Sequence, residues 1–318
     1  IHKHRGAFYG RNLVYANLGF DTFTSLEYMN GVRLTDKNWA KDEILTGEIA
    51  AALASTEGPD FVFAVSVQGH GEYPKDGPPQ GESFRIRVTE GIEDEKERND
   101  MEYYLKQVHE MDRFVGDLEK MVREMEEDTI VVLYADHLPV LNLEEEDLEN
   151  ESVYETWYAL FSNYPMSRRS SDLAAYQLSA EVLGRLGIRD GLLNWYHQTR
   201  KNYGNYLDYL QLIQYDMLYG ENYLFGGKNP YEKTDLKMGV RGIKVGDFLP
   251  VGDNTYIRGT NFTPYSKVVL GNRQLETIFI HPSLIKVEKR LGEEDRKQLT
   301  ISQVGKYNTV LSTLENVE

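Results

Sequence analysis

The chain has 318 residues, of which 51 are aspartate or glutamate and 35 are lysine or arginine, so its formal net charge is -16. This acidic balance argues against non-specific binding to nucleic acid or to an anionic membrane surface. The chain contains no cysteine, which excludes disulfides and thiolate metal sites. No apolar stretch approaches the ~20 residues that a membrane span needs, and the length predicts about two domains.

The N-terminal third predicts a loop, a helix and a buried strand. Residues 1–30 are rich in aromatic and basic side chains and predict a loop with short helical pieces. Apolar spacing over residues 35–55, which includes Trp39, predicts an amphipathic helix whose carboxylates, Asp42 among them, face water. Residues 61–67 are typical of a buried strand, which leads into a glycine-flanked loop with His70. The following residues, to about position 100, predict a surface excursion.

A second apolar run, residues 129–135, ends in adjacent Asp136 and His137. The helical spacing of apolar residues over 101–126 predicts a long helix before it, so strand, helix and strand predict a right-handed parallel βαβ unit. Open α/β sheets bind ligands beyond the carboxyl ends of their strands, and Asp136 and His137 are therefore expected at a crevice. One carboxylate and one imidazole suit a divalent cation such as Mn²⁺ or Zn²⁺.

The rest of the chain changes character after residue 230. Residues 157–161 predict a strand and 172–186 a helix, while 192–219 predict a helical segment with Tyr206 on its exposed side and His197 at the surface. From residue 238 onward, short β-type runs alternate with turns, which is typical of a small β-sandwich. We therefore expect an α/β domain over residues 1–236 and a β-sandwich over 237–318.

Four segments carry a family resemblance: residues 1–11, 17–21, 66–74 and 134–137. In this order and spacing they resemble the lipoteichoic acid synthase group of the sulfatase and alkaline phosphatase superfamily, over roughly residues 1–220. The resemblance implies the downstream portion of an alkaline-phosphatase-like three-layer α/β sandwich with a mostly parallel sheet. It also implies a phosphoglycerol transferase activity at the bacterial cell surface.

The same resemblance implies roles for particular residues. Asp136 and His137 would ligate a single catalytic divalent ion, usually Mn²⁺ in this group. The pocket for the phosphoglycerol head group would be lined by His2, Tyr9, Arg11 and His70.

The chemistry of these side chains agrees with such roles. Arginine offers a planar fork that matches two phosphate oxygens, so Arg11 is assigned to the phosphate. His70 can donate to a phosphate or glycerol oxygen, or protonate a leaving alkoxide near neutral pH. The family usually has an acidic residue where His4 stands and a tryptophan where Tyr9 stands, so the chain departs from the family pattern at these two positions.

The resemblance places the attacking threonine and a further acidic metal ligand upstream of residue 1. The chain alone is therefore expected to be inactive and to bind metal poorly through two ligands. The resemblance also implies a missing upstream membrane anchor, action at the extracellular face of the cell membrane, and an anionic glycerophosphate lipid or polymer as the substrate. A nucleic acid partner is not expected.

Two other interpretations remain open. The pattern over residues 256–264 resembles immunoglobulin-like IPT/TIG domains, so the β module is expected to be a spacer or attachment surface, with cell-wall glycan binding as the alternative. A non-catalytic surface or binding protein on an eroded hydrolase scaffold is the second hypothesis for the whole chain. A true sulfatase or phosphatase is the third.

Overall fold

The computed structural model describes residues 1–78, 84 and 86–315. The chain forms two compact units, one made of Ile1–Pro165 with Thr234–Glu318 and the other of Met166–Lys233. The expected boundary between residues 236 and 237 falls inside the first unit, and the division into domains there remains a prediction. Residues 79–83 and 85 of the expected surface excursion lie outside the described part of the chain.

The chain has a mixed α/β fold. The helices are α1 (Arg11–Asn17), α2 (Ile44–Leu53), α3 (Glu95–Arg123), α4 (Leu178–Arg185), α5 (Leu192–Arg200), α6 (Tyr206–Leu218) and α7 (Glu293–Arg296). The strands are β1 (Thr22–Phe23), β2 (Ile130–Tyr134), β3 (Tyr158–Ser162), β4 (Lys237–Met238), β5 (Lys244–Val251), β6 (Asn254–Thr260), β7 (Ser266–Leu270), β8 (Arg273–Gln274), β9 (Thr277–His281), β10 (Leu284–Val287), β11 (Leu299–Val304) and β12 (Val310–Leu314).

The N-terminal segment lies beside residues 61–67. The Ile1 ammonium donates to the Phe63 carbonyl at 2.6 Å, and the Val65 N–H donates to the Ile1 carbonyl at 3.0 Å. His2 forms isolated parallel bridges with both Val65 and Ser25. The first two residues thus lie alongside residues 61–67. In that segment only Val65 forms a bridge, so the predicted strand is not formed.

Helix α2 is shorter than predicted, whereas α3 is longer. Residues 35–40 form a turn in which the Thr35 N–H donates to the Trp39 carbonyl at 2.7 Å, so α2 begins only at Ile44. Helix α3 begins at Glu95, because the Asp94 carboxylate accepts hydrogen bonds from two N–H groups of the first turn. Its acidic start also complements the helix dipole.

The described sheets include one parallel pair, β1 with β4, and several antiparallel pairs. Strand β2 pairs antiparallel with β3, and no ladder or bridge joins it to residues 61–67 in the described part of the chain, so the predicted parallel pairing of these two segments is not formed there. Strand β2 and residues 61–67 still pack against one apolar core formed by α2 and α3. Its buried members are Leu45, Ile49, Phe114, Leu118 and Val122, with Val62, Val131 and Phe161 against them.

The C-terminal β-type runs form two four-stranded antiparallel sheets, ordered β5-β6-β10-β9 and β12-β11-β7-β8. Both sheets contribute to one core. Ile257 and Ile285 come from the first sheet, whereas Val268 and Ile301 come from the second. Period-two alternation places these side chains on the shared inner faces.

The second unit contains α4, α5 and α6, and residues 201–205 separate the last two helices. Tyr206 is buried with Tyr196, and the His197 Nδ1 atom is hydrogen-bonded to the Tyr206 hydroxyl at 2.6 Å. The predictions that Tyr206 and His197 face solvent are therefore wrong, because the break at residues 201–205 lets α6 fold back onto α5.

None of the described helices has both the length and the apolar composition that crossing a bilayer requires.

Replacing Ile257 with alanine is expected to lower the free energy of unfolding by about 2–5 kcal/mol, because truncation leaves a cavity between the two sheets. Ile280 lies on β9 with 47% of its surface exposed, and its replacement by alanine is the matched control. Its effect is expected to be about 0.5 kcal/mol. Urea denaturation followed by circular dichroism measures both values. Equal losses would contradict a core shared by the two sheets.

Candidate functional site

Asp136 and His137 follow the carboxyl end of β2. Their side chains are 84% and 56% exposed, and the His137 Nε2 atom lies 3.7 Å from Asp136 Oδ1. The His137 Nδ1 atom is hydrogen-bonded to the Leu138 carbonyl at 2.7 Å. Since a carbonyl only accepts, Nδ1 carries the proton, and Nε2 of the neutral ring keeps its lone pair. This is the arrangement in which metal-binding histidines are usually held.

His70 is held in the same way, in the loop that follows residues 61–67. Its Nδ1 atom donates to the Gly71 carbonyl at 2.7 Å, which leaves Nε2 of the neutral ring as an acceptor. The rings of His70 and His137 stand edge to face, with their centroids 6.0 Å apart. Two loops that are distant in sequence therefore bring together two imidazoles, each with its Nδ1 atom hydrogen-bonded to a backbone carbonyl.

The rings continue from His70 towards the N-terminus. The centroid of the Trp39 ring lies 5.0 Å from that of His70 and 5.5 Å from that of His4. The ring centroids of His4 and His2 are 6.1 Å apart. We call these five side chains, His2, His4, Trp39, His70 and His137, the ring row. It connects the N-terminal segment to the Asp136–His137 pair.

Arg11 begins α1 and lies near the N-terminal end of the ring row. Its guanidinium is 5.4 Å from the Phe8 ring centroid and 5.3 Å from that of Tyr9. Its charge lowers the pKa of both His2 and His4, which places it within electrostatic reach of both. Tyr9 is 79% exposed and packs against Phe8, outside the ring row.

His2 and His4 are held neutral. Burial, reinforced by the charge of Arg11, lowers the pKa of His2 to about 3, and the side chain is only 2% exposed. Burial also lowers the pKa of His4, with Arg5 and Arg11 acting in the same direction. Within the described ranges the buried Nδ1 atom of His2 has no hydrogen-bond partner.

A buried ion pair connects two of the segments that carry the ring row. The Lys3 ammonium lies 2.5 Å from Asp42 Oδ1 and donates to the Ala40 carbonyl, and both charged side chains are fully buried. Burial lowers the pKa of Lys3 although Asp42 opposes the shift. The Ser66 hydroxyl and the Gln68 side chain complete the hydrogen bonds of Asp42. The prediction that Asp42 faces water is wrong, because it lies before α2 and points inward.

Glu27 connects the same N-terminal segment to the C-terminal sheets. Its buried carboxylate accepts hydrogen bonds from the Gly6 N–H at 3.0 Å and from the Ser25 hydroxyl at 2.6 Å. Its backbone carbonyl accepts from Thr263 Oγ1 at 2.7 Å and from Gln303 Nε2 at 2.8 Å. The loop that leads to Arg11 is thus fastened to strand β11 and to the loop between β6 and β7.

The donor set at β2 fits a divalent ion in part. The exposed Asp136 carboxylate and the oriented Nε2 atom of His137 are suitable oxygen and nitrogen ligands. Among residues 1–78, 84 and 86–315, no group of three or more histidine, aspartate or glutamate side chains is placed to hold one metal ion. This pair would therefore supply two ligands of a larger coordination shell.

The structure brings the sequence-predicted residues into one region. Successive ring contacts link His2, His70 and His137, while Arg11 lies near His2, with Tyr9 beside Arg11. Their roles remain predictions. Sequence reasoning missed Trp39, which it assigned to a helix. The turn-favouring run of Thr35, Asp36 and Asn38 before Trp39 was the available signal.

Comparisons with known proteins place the chain among sulfatase-like proteins. The family model described as Sulfatase matches residues 1–214. A putative cyclic beta-1,2-glucan modification protein of Rhizobium meliloti (strain 1021) is 38% identical over 142 residues, which are 45% of this chain and 21% of that protein.

The Streptococcus pyogenes phosphoglycerol transferase GacH, solved in complex with sn-glycerol-1-phosphate, matches with a TM-score of 0.56 at 19% identity. The match covers 73% of this chain and 64% of that one, and at this identity it shows a shared alkaline-phosphatase-like fold. The chain spans about a fifth of the length of the Rhizobium relative and less than two thirds of GacH.

The depressed pKa of His2 predicts a specific pH dependence of stability. Between the ordinary value of 6.5 and the folded value of about 3, the unfolded state binds more protons, so the free energy of unfolding falls as pH drops. In His2→Gln, the loss of stability from pH 7 to pH 4.5 should be smaller than in the unmodified chain by about 2–3 kcal/mol. Urea denaturation at both pH values measures it.

His109 is exposed on α3, and His109→Gln is the matched control, which should keep the full pH dependence. An unchanged pH dependence in His2→Gln would show that His2 does not remain neutral in the folded protein.

Proposed function

Because the chain belongs to the sulfatase family, we propose that it acts in the transfer or hydrolysis of a phosphate or sulfate ester, and that the ester carries phosphoglycerol. The observation that carries this proposal is the ring row, which runs from the neighbourhood of Arg11 to the Asp136–His137 pair. A guanidinium at one end and a cation site at the other are the groups that a bound phosphodiester requires.

The chain's own residues would act on the two ends of the substrate. Arg11 would bind two phosphate oxygens through its planar fork. His70, with its Nδ1 proton fixed on Gly71, would accept a hydroxyl proton at Nε2 and return it to a leaving alkoxide. Neutral His2 and His4 would add hydrogen-bonding groups without adding charge.

Enzymes of the sulfatase superfamily generally use a divalent metal, and we propose Mn²⁺ here, held by Asp136 and His137 together with further ligands. A bound divalent ion would supply a Lewis acid that polarises the ester and lowers the pKa of the attacking hydroxyl. The orientation of His137 by the Leu138 carbonyl supports this assignment.

We further propose that the substrate is an anionic glycerophosphate lipid or polymer at the extracellular face of the cell membrane. The glycerol phosphate bound to GacH supports the ester class, and the name of the Rhizobium relative favours a glucan hydroxyl as the acceptor. The C-terminal sheets would be an immunoglobulin-like module. Their hydrogen bonds to Glu27 favour a role as a scaffold for the Arg11 loop.

Replacing Arg11 with alanine should weaken binding of sn-glycerol-1-phosphate in the presence of Mn²⁺ by roughly 10–100-fold, since hydrogen bonds to charged groups contribute about 1.5–3 kcal/mol. The affinity of Arg11→Lys should lie between those of the unmodified chain and of Arg11→Ala, because lysine keeps the positive charge but lacks the planar fork of the guanidinium. Isothermal titration calorimetry measures the affinities. Arg123 is exposed on α3, and Arg123→Ala is the control. Equal affinities in Arg11→Ala and Arg123→Ala would contradict the assignment.

Mn²⁺ should bind weakly to this chain and more weakly still to the variants Asp136→Asn and His137→Ala, because each removes one of two ligands. Electron paramagnetic resonance of free Mn²⁺ measures binding, and His109→Ala is a matched exposed control.

We also propose that the chain alone is inactive, since the resemblance places the attacking threonine before residue 1. Mn²⁺-dependent turnover of a phosphodiester by the purified chain would refute this.

A further inference from the structure

We propose that Trp39, together with His4, is the surface that binds the polyol part of the phosphate ester, and that it gives the site its preference for a polyol phosphate over bare phosphate. This inference rests on the proposed function and deepens it. The ligand class is a short polyol or a sugar, which presents a C–H face and several hydroxyl groups.

The position of Trp39 within the ring row is the first observation. The indole ring lies between the imidazoles of His4 and His70, at centroid distances of 5.5 and 5.0 Å. It is partly exposed, and it belongs to none of the apolar core clusters found in the described part of the chain. A partly exposed aromatic ring flanked by hydrogen-bonding rings is a typical binding-site arrangement.

The turn that carries Trp39 is held firmly, which is the second observation. The backbone of Trp39 is bonded to Thr35 twice, through its carbonyl at 2.7 Å and through its N–H to the Thr35 hydroxyl at 3.1 Å. The next residue, Ala40, accepts a hydrogen bond from the buried ammonium of Lys3. A ring presented by such a fixed turn loses little conformational freedom when a ligand packs on it.

The chemistry of the neighbouring rings fits a polyol. An indole face packs against C–H groups, while its neighbours offer nitrogen atoms for hydroxyl groups. Burial lowers the pKa of His4 and so favours its neutral ring, which presents one donor and one acceptor, as a hydroxyl group requires. The charge of Arg11 lies near His4, so a phosphate bound by Arg11 would place the attached polyol next to Trp39.

Tyr9, the predicted aromatic lining residue, is in a different environment. Its ring packs on Phe8 and on the guanidinium of Arg11, and most of its surface faces solvent. It makes no ring contact with His70 or His137 within the described residues. Trp39, in contrast, is placed between His4 and His70 within the ring row.

The chain has three tryptophans, so Trp157→Phe combined with Trp195→Phe leaves Trp39 as the single indole fluorophore. We expect sn-glycerol-1-phosphate to change its emission saturably, and inorganic phosphate to bind without that change. In the otherwise unmodified chain, Trp39→Ala should weaken the binding of glycerol phosphate about tenfold and leave the binding of inorganic phosphate unchanged. Trp39→Phe should recover part of the lost affinity for glycerol phosphate. Trp157→Ala, at an exposed position, is the control.

The outcomes separate this inference from the proposed function. If glycerol phosphate binding depends on Arg11 but neither Trp39→Phe nor Trp39→Ala changes it, and the single-indole emission stays constant, the role of Trp39 is refuted and the proposed function stands. If glycerol phosphate does not bind, or binds independently of Arg11, both are refuted. If Trp39→Ala weakened the binding of glycerol phosphate and of inorganic phosphate equally, Trp39 would have only a structural role. That result would also refute its proposed contact with the polyol.

Discussion

The buried ion pair between Lys3 and Asp42 is the interaction on which the candidate site depends. Lys3 stands between His2 and His4 in the chain, and Asp42 follows the turn that presents Trp39. The pair therefore fixes two segments of the ring row relative to each other. Both charges have left water, and the loss of either partner would leave an uncompensated charge, at a cost of about 3–5 kcal/mol.

Glu27 extends this constraint to the other side of the N-terminal segment. Its carboxylate fixes Gly6, which precedes the Arg11 helix, while its carbonyl receives hydrogen bonds from Thr263 and Gln303. The segment that holds His2, His4 and Arg11 is thereby fastened at both ends, to the α/β core and to the C-terminal sheets.

Sequence reasoning succeeded where local pattern determines local structure. Strand β2, helix α3 and the position of Asp136 at a strand end follow from apolar periodicity, and the β-type runs of the C-terminal segment form strands. It failed where a distant segment decided the outcome. Residues 61–67 have a strand pattern, but the chain start lies beside them. The inward orientation of Asp42 depends on Lys3, 39 positions away, and helical spacing cannot show it.

The charge distribution along the ring row follows from these constraints. Protonated imidazoles at His2 and His4 would be repelled by Arg11 and by each other. Burial, strengthened by the charge of Arg11, instead keeps His2 and His4 neutral. Arg11 then contributes positive charge near His2 and His4, while a bound metal would contribute it at the Asp136–His137 pair. An anionic ester would be held between two fixed charges by neutral rings, which contact its uncharged part.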